Sequence, residues 1–141
     1  MASIAIIGQG YMGNAHAAAW ASAGQADAIK YICTPRPKDG SVPAASKAKY
    51  ISDLDVIIND ADVKYVSVCT PTPTHKDITV ALLAAGKHVL LEKPIALTIA
   101  DAKAVADAAA KSSGSLMIAQ VVRFFLGYQK LREVSEAGEL G

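Results

Sequence analysis

The sequence predicts an α/β fold in which a parallel sheet of about six strands is covered by helices on both faces. Short apolar segments alternate with helical segments along the chain, which is typical of a parallel sheet. The apolar segments are continuous, as in Ile4–Ile7, rather than alternating with polar residues. Continuous apolar strands are expected where both faces of a sheet are buried. A glycine-rich turn directly after the first apolar segment is the third observation that favours this fold.

The predicted elements follow one another with short connections. Strands are expected at Ser3–Ile7, Ala28–Cys33, Tyr50–Ile51, Tyr65–Cys69, His88–Leu91 and Leu116–Ala119. Helices are expected at Gly10–Ser22, Ala44–Lys47, Leu54–Asn59, Thr74–Ala85, Thr98–Ser112 and Leu126–Ala137. Residues that cap or end these helices are Asp53, Thr74 with Asp77, Thr98 with Asp101, Gly86 and Gly138. The segment Pro35–Pro43 is rich in Pro, Gly and charge and is predicted to be a loop.

Size and composition restrict the possible functions. The chain has 141 residues, of which 52% are hydrophobic and 19% are charged, as expected for one globular domain. Its 14 Lys and Arg against 13 Asp and Glu give a net charge of +1, which offers no electrostatic basis for binding nucleic acid or an anionic membrane. No apolar run reaches the roughly 18 residues of a membrane span, and the N-terminus lacks the pattern of a signal peptide. We therefore expect a cytoplasmic chain.

The two cysteines are expected to remain reduced. Cys33 and Cys69 fall at the ends of predicted strands that are not neighbours in the sheet. Two strand spacings amount to about 10 Å, whereas the Cα atoms of a disulfide lie within about 7 Å of each other. No disulfide is therefore predicted.

The glycine-rich turn has the pattern of a dinucleotide-binding site. Gly8, Gly10 and Gly13 match Gly-x-Gly-x-x-Gly between a predicted strand and a predicted helix, with Tyr11 and Met12 at the variable positions. The first glycine permits a tight turn, the second leaves space for a pyrophosphate, and the third lets the helix approach the strand. The N-terminus of the helix offers free amide groups to the phosphates. An ordinary glycine-rich turn is the alternative, but the alternating elements favour a Rossmann-type doubly wound sheet, in the order 3-2-1-4-5-6.

The end of the second strand favours NADP over NAD. In this fold an Asp or Glu about 20 residues after the glycines accepts the ribose 2′-hydroxyl, but Thr34 stands at that position. Arg36 and Lys38 follow it. A carboxylate would repel a 2′-phosphate, whereas an arginine can bind it through two charge-assisted hydrogen bonds. The alternative is that Arg36 and Lys38 are solvated loop charges.

Further motifs resemble one enzyme family. Thr70–His75 reads Thr-Pro-Thr-Pro-Thr-His, and Gly86–Pro94 begins with Gly-Lys-His and ends with Glu-Lys-Pro. Gln120, Arg123-Phe124 and Gly138–Gly141 follow in the same order as in that family. With the glycine turn, these segments resemble the glucose–fructose oxidoreductase, inositol dehydrogenase and rhizopine-catabolism (Gfo/Idh/MocA) family along the whole chain.

The resemblance implies an NAD(P)-dependent oxidoreductase that transfers a hydride to or from a hydroxyl-bearing carbon of a sugar or cyclitol. It places Lys93 beside the nicotinamide and the substrate hydroxyl, as the catalytic residue. A cation there would stabilise a developing alkoxide, and a buried lysine can relay a proton. Glu92 would position the nicotinamide ribose or Lys93, and the Lys93–Pro94 peptide bond is expected to be cis.

The same resemblance implies further cofactor contacts. Thr70, Pro71 and His75 would line the cofactor cleft at the carboxyl end of the fourth strand. Gln120 would bond the nicotinamide carboxamide, or would simply be a polar residue at a strand end. No metal site is expected, because His75 has no set of ligands at suitable spacing. His16 and His88 are expected to be packing or surface residues.

The chain departs from the family after its cofactor-binding half. We expect a dinucleotide-binding domain over residues 1–120 and a C-terminal helix over residues 121–141 that leads to an absent substrate domain. The chain alone would then be inactive, and its substrate would bind through that domain. An exposed apolar cluster, Phe124–Leu126 with Tyr128, is predicted to promote self-association, so a homo-oligomer is possible. Two alternatives are a non-enzymatic NAD(P) sensor, which would not need Lys93, and a domain for another nucleotide-like ligand such as S-adenosylmethionine, which the basic Thr34–Lys38 segment disfavours.

Overall fold

The computed structural model describes residues 2–36, 42–45 and 47–140. Its strands are β1 Ser3–Ile7, β2 Ile29–Cys33, β3 Lys49–Ile51, β4 Val63–Val68, β5 His88–Leu91 and β6 Leu116–Ile118. Its α-helices are α1 Tyr11–Ser22, α2 Asp55–Asn59, α3 His75–Ala84, α4 Ile99–Lys111 and α5 Leu126–Glu136. Short 3₁₀ helices cover Ala26–Ala28, Pro43–Ala45, Thr72–Thr74 and Val121–Phe124.

The six strands form one parallel sheet in the order β3-β2-β1-β4-β5-β6, which confirms the predicted order. The register aligns the carboxyl ends of the central strands, because Ile7 pairs with Cys33 on β2 and with Val68 on β4. The next backbone amides continue these ladders: Gly8 N–H donates to the Cys33 carbonyl at 2.7 Å, and Cys69 N–H donates to the Ile7 carbonyl at 2.8 Å. The residues that follow β1, β2 and β4 are thereby brought to one edge.

Successive residues of the central strands serve two separate hydrophobic cores, one on each face of the sheet. Ala5 and Ile7 belong to the larger core, which α3 and α4 cover with residues such as Leu82 and Val105. Ile4 and Ile6 face the other core, which α1 covers with small residues such as Ala17. This arrangement explains the continuous apolar strands, since both faces are buried.

Several predicted boundaries shift by a few residues. β4 begins at Val63 and ends at Val68, whereas Tyr65–Cys69 was expected. The buried Val63 is flanked by the charged Asp62 and Lys64, which hide the strand start in the sequence. The expected helix over Ala44–Lys47 is a short 3₁₀ helix instead. Residues 37–41 of the predicted Pro35–Pro43 loop lie outside the described residues.

The helix caps agree with the sequence in part. The Thr98 hydroxyl accepts the Asp101 amide at 3.1 Å and so caps α4 as predicted. Asp53 accepts the Asp55 amide at 2.8 Å at the start of α2. The capping box predicted at Thr74 with Asp77 is wrong, because the Thr74 hydroxyl donates to the Pro71 carbonyl within the preceding 3₁₀ turn. Among the described helices, none has the length and apolar content needed to cross a membrane.

Candidate dinucleotide site

The glycine turn lies at the carboxyl end of β1, between the ends of β2 and β4. Gly8 has φ +102°, a conformation that side chains disfavour. A Cβ on Gly8 would also lie 2.6 Å from the Cys69 carbonyl oxygen. A Cβ on Gly13 would collide with the Gly8 carbonyl oxygen. The turn and the close approach of α1 therefore both require glycine, as the motif predicts.

The second glycine of the motif borders open space instead. A Cβ on Gly10 would meet no atom of the described structure within 4 Å. Tyr11 beside it is 87% exposed, and Met12 is half-buried. No side chain caps the N-terminus of α1, so the first amide groups of the helix are available to an anion. The space and the free donors together suit a pyrophosphate group.

The end of β2 lies beside this turn. Thr34 is half-buried, and its amide donates to the Ile51 carbonyl at 2.9 Å. Arg36 is exposed, and its carbonyl oxygen lies 3.4 Å from the Gln9 side-chain nitrogen. The Arg36 backbone therefore lies next to the glycine turn. Lys38, the other basic residue predicted here, lies outside the described residues.

Two of the residues predicted to line the cofactor cleft follow β4 at the carboxyl edge of the sheet. Thr70 is half-buried and Pro71 is exposed. His75, in contrast, is only 1% exposed. Its Nε2 lies 2.8 Å from the Thr70 carbonyl oxygen and its Nδ1 lies 2.9 Å from the Pro94 carbonyl oxygen.

His75 therefore lies beneath the surface of the site and contacts the loops that follow β4 and β5. It does not line the cofactor cleft, which corrects the expectation that it would. Its burial on α3 removes the imidazole from any ligand at the surface, while its two nitrogens fix the segments after β4 and β5. A carbonyl oxygen can only accept, so both contacts are hydrogen bonds only when both ring nitrogens carry protons. The role that the structure supports is structural.

Glu92 and Lys93 follow β5 at the same edge. The Lys93–Pro94 peptide bond is cis, as expected. Lys93 is exposed, and none of the described side chains pairs with its ammonium group. Glu92 is buried, and its Oε2 accepts the Lys93 amide at 3.1 Å. Of the two roles considered for Glu92, this contact favours the positioning of Lys93.

His16 is a residue of this site that the sequence analysis missed. Its Nε2 lies 2.9 Å from Glu92 Oε1, and both side chains are about nine-tenths buried. His16 lies on the face of α1 that also carries the buried Gly13 and Ala17. A polar residue on the buried face of a helix usually has a partner, and this was the available signal. His88 stacks on Tyr65 with ring centroids 5.2 Å apart, in keeping with a packing role.

Gln120 follows β6, the outermost strand on one side of the sheet, and lies one residue beyond the expected end of that strand. It is exposed and borders a cavity of about 530 Å³ that Arg123, Tyr128 and Arg132 also line. A groove of similar size, about 550 Å³, lies between α3 and α4, with Leu83 and Ala108 among its lining residues. That groove is remote from the glycine turn, and none of the residues predicted to bind the cofactor lines it.

The cysteines take no part in this chemistry. Both are free in the structure. Burial raises the pKa of the Cys33 thiol to about 11 and that of the Cys69 thiol to about 12. Thiols of this kind are poor nucleophiles and poor metal ligands at neutral pH. In the part of the chain that the structure describes, no group of three or more His, Cys, Asp or Glu residues could hold a metal ion.

Comparison with known proteins agrees with this geometry. The GFO_IDH_MocA family model, described as an oxidoreductase family with an NAD-binding Rossmann fold, matches residues 2–120. Inositol 2-dehydrogenase of Salmonella paratyphi B is 31% identical over 140 residues, which cover 96% of this chain and 42% of that enzyme. An oxidoreductase domain protein from Kribbella flavida has 34% identity and a TM-score of 0.83, covering 100% of this chain and 41% of that one.

A structure of levoglucosan dehydrogenase in complex with NADH and levoglucosan is also similar. It has 30% identity and a TM-score of 0.85, covering 99% of this chain and 40% of that one. The chain thus spans about two fifths of the length of the relatives that it matches.

Proposed function

This chain belongs to the Gfo/Idh/MocA oxidoreductase family, and we propose that it is the NAD(P)-binding domain of a dehydrogenase acting on a hydroxyl-bearing carbon of a sugar or cyclitol. The observation that carries the proposal is the glycine turn, where Gly8 and Gly13 are sterically required and Gly10 borders open space. The substrate class is supported by the relatives, which are named for inositol and levoglucosan.

The cofactor would lie across the carboxyl edge of the sheet. The amides of Tyr11, Met12 and Gly13 would bind its pyrophosphate, next to the space beside Gly10. Thr70 and Pro71 would contact the middle of the dinucleotide, and Gln120 would contact the nicotinamide carboxamide. When bound, NAD(P) accepts or supplies the hydride.

Lys93 would act on the substrate hydroxyl. During oxidation the carbon loses a hydride and the hydroxyl loses a proton, which leaves a carbonyl group. The Lys93 ammonium would donate a hydrogen bond to that oxygen and stabilise its developing negative charge, while the proton would pass to water or to a base of the substrate-binding domain. Its exposure at the edge and its lack of an ion-pair partner within the described structure support this role.

The segment Thr34–Arg36 supports a preference for NADP. No carboxylate stands at position 34, where it would repel a 2′-phosphate, and the exposed Arg36 lies beside the glycine turn, next to Gln9. Levoglucosan dehydrogenase, a relative, was crystallised with NADH, so a preference for NAD is the competing outcome.

Residues 121–141 would connect this domain to a substrate-binding domain, without which the chain would show no turnover. This is supported by α5, none of whose side chains is buried, and by the greater length of the relatives. The substrate would then bind between Lys93 and groups of the second domain.

Calorimetric titration of the purified chain with NADPH and NADH tests the proposal. We expect both to bind, with NADPH tighter, and R36A to weaken NADPH about tenfold by removing charge-assisted hydrogen bonds. K103A, which removes an exposed cation on α4 far from the turn, is the control and should change neither affinity. A preference for NADH would refute the role of Arg36 alone. If neither dinucleotide bound, the proposed function would be wrong.

A further inference from the structure

We propose that His16 is a positioning residue for Lys93, acting through the carboxylate of Glu92. His16 Nε2 lies 2.9 Å from Glu92 Oε1, and the other carboxylate oxygen accepts the Lys93 amide at 3.1 Å. The chain of contacts therefore runs from α1 to the peptide group that carries the lysine. This inference rests on the proposed function, in which Lys93 acts on the substrate.

The Glu92 carboxylate needs His16 because it is buried. A buried carboxylate without hydrogen-bond donors is strongly disfavoured. The two donors that the structure gives it are His16 Nε2 and the Lys93 amide, one to each oxygen. Without His16, the carboxylate would lose half of these contacts and would turn toward water. The Lys93 peptide would then lose the acceptor that fixes it.

Because His16 lies on α1, the His16–Glu92 pair connects the two ends of the site. The same helix begins at the glycine turn, where the pyrophosphate would bind, and His16 lies just beyond Gly13. The His16–Glu92 contact joins that helix to the loop after β5. It thereby fixes the spacing between the phosphate-binding end of the site and Lys93, which a dinucleotide must span.

The other ring nitrogen of His16 supports a role beyond packing. Nδ1 is buried and has no hydrogen-bond partner within the described structure. An apolar side chain at this position would carry no unsatisfied polar atom of its own, but it would leave Glu92 Oε1 without a donor. The presence of an imidazole here is explained by the contact that Nε2 makes with Glu92.

Two variants separate positioning from packing. H16L removes the donor, whereas H16Q retains a side-chain N–H near the position of Nε2. K87M is the matched structural control, because the buried Lys87 ammonium donates to the Asp60 and Val63 carbonyls at the opposite end of the strands. Two readouts are compared in the 141-residue chain: hydrogen exchange of the Lys93 amide by NMR, and the affinities for NADH and for ADP-ribose, which lacks the nicotinamide ring.

We expect H16L to speed exchange of the Lys93 amide about tenfold, as for a lost hydrogen bond to a charged group, and H16Q to remain near wild type. H16L should weaken NADH more than ADP-ribose, and K87M should lower stability without either effect. Unchanged Lys93 exchange in H16L, or equal acceleration in K87M, would overturn the proposal. If the wild type bound no dinucleotide, the proposed function would fail, while the Lys93 amide would still decide whether His16 holds that peptide.

Discussion

The carbonyl oxygen of Gly8 occupies the space where a side chain on Gly13 would begin. Any larger residue at position 13 must therefore push α1 away from β1. We predict that G13A lowers the free energy of unfolding by about 1–3 kcal/mol, the range for extra atoms forced into a packed region. Urea unfolding followed by circular dichroism measures this change, and stability equal to wild type would contradict the close helix–strand contact.

Substitution of Gly10 should abolish dinucleotide binding while leaving stability nearly unchanged. Its backbone has φ −80°, which any residue adopts, and a Cβ there meets no neighbour within the described structure. G10V should change stability by no more than about 0.5 kcal/mol and yet abolish measurable NADH binding, because the side chain would fill the space for the pyrophosphate. Paired with G13A, it separates folding from binding. Wild-type affinity in G10V would place the dinucleotide elsewhere.

His75 should matter for stability even though it does not line the cleft. Replacing it with leucine removes every hydrogen bond that the imidazole donates to the Thr70 or Pro94 carbonyl oxygen. A hydrogen-bonding group left unsatisfied costs about 1–3 kcal/mol, so H75L should lower stability by that order. Thermal unfolding tests this, with H88L as the comparison, since His88 is only half-buried. A loss of NADH binding in H75L with unchanged stability would instead indicate direct contact.

Asp60 should make stability depend on pH in the acid range. Hydrogen bonding by the Lys30 ammonium lowers the pKa of this carboxyl to about 2, whereas an unfolded aspartate has a pKa of about 3.9. Its contribution to stability is therefore complete above about pH 5 and is lost as the pH falls through about 3.9 toward 2. The stability gap between wild type and D60N should narrow as the pH falls from about 5 to about 2. A gap independent of pH would contradict the ion pair, and D107N, an exposed control, should show no gap.

The apolar residues near the C-terminus are exposed, as the sequence predicts. Phe124, Phe125 and Tyr128 are each more than half exposed, and Leu126 is 83% exposed. A contiguous apolar patch of this kind favours association. We predict that the chain self-associates at high concentration and that the double substitution F125S and L126S reduces this. Light scattering that shows a monomer at all concentrations would refute the prediction.

The sequence predicted the fold well because its signals are local. Continuous apolar runs such as Ile4–Ile7 and the glycine turn depend on neighbouring residues alone, and together they imply the strand order. The start of β4 was missed because Val63 lies between two charged residues. The predicted Thr74 cap was wrong, because the hydroxyl donates to the Pro71 carbonyl in a 3₁₀ turn that the capping pattern does not reveal.

The candidate site was predicted less completely, because its key contacts are distant in the chain. His16 and Glu92 are separated by 76 positions, and no spacing rule links them. His75 was expected in the cleft because of the family resemblance, but its burial is a property of how α3 packs. The positions of Gly8, Gly10 and Gly13 followed from a motif whose steric reasons are local.

The most direct test of the dinucleotide site is an NMR titration of the isotopically labelled chain with NADH. The account predicts that the largest amide shifts occur at Gly10–Gly13 and at Lys93, on the carboxyl edge of the sheet. Shifts confined to the groove between α3 and α4, around Leu83 and Ala108, would contradict it. No shifts at saturating NADH or NADPH would contradict it as well.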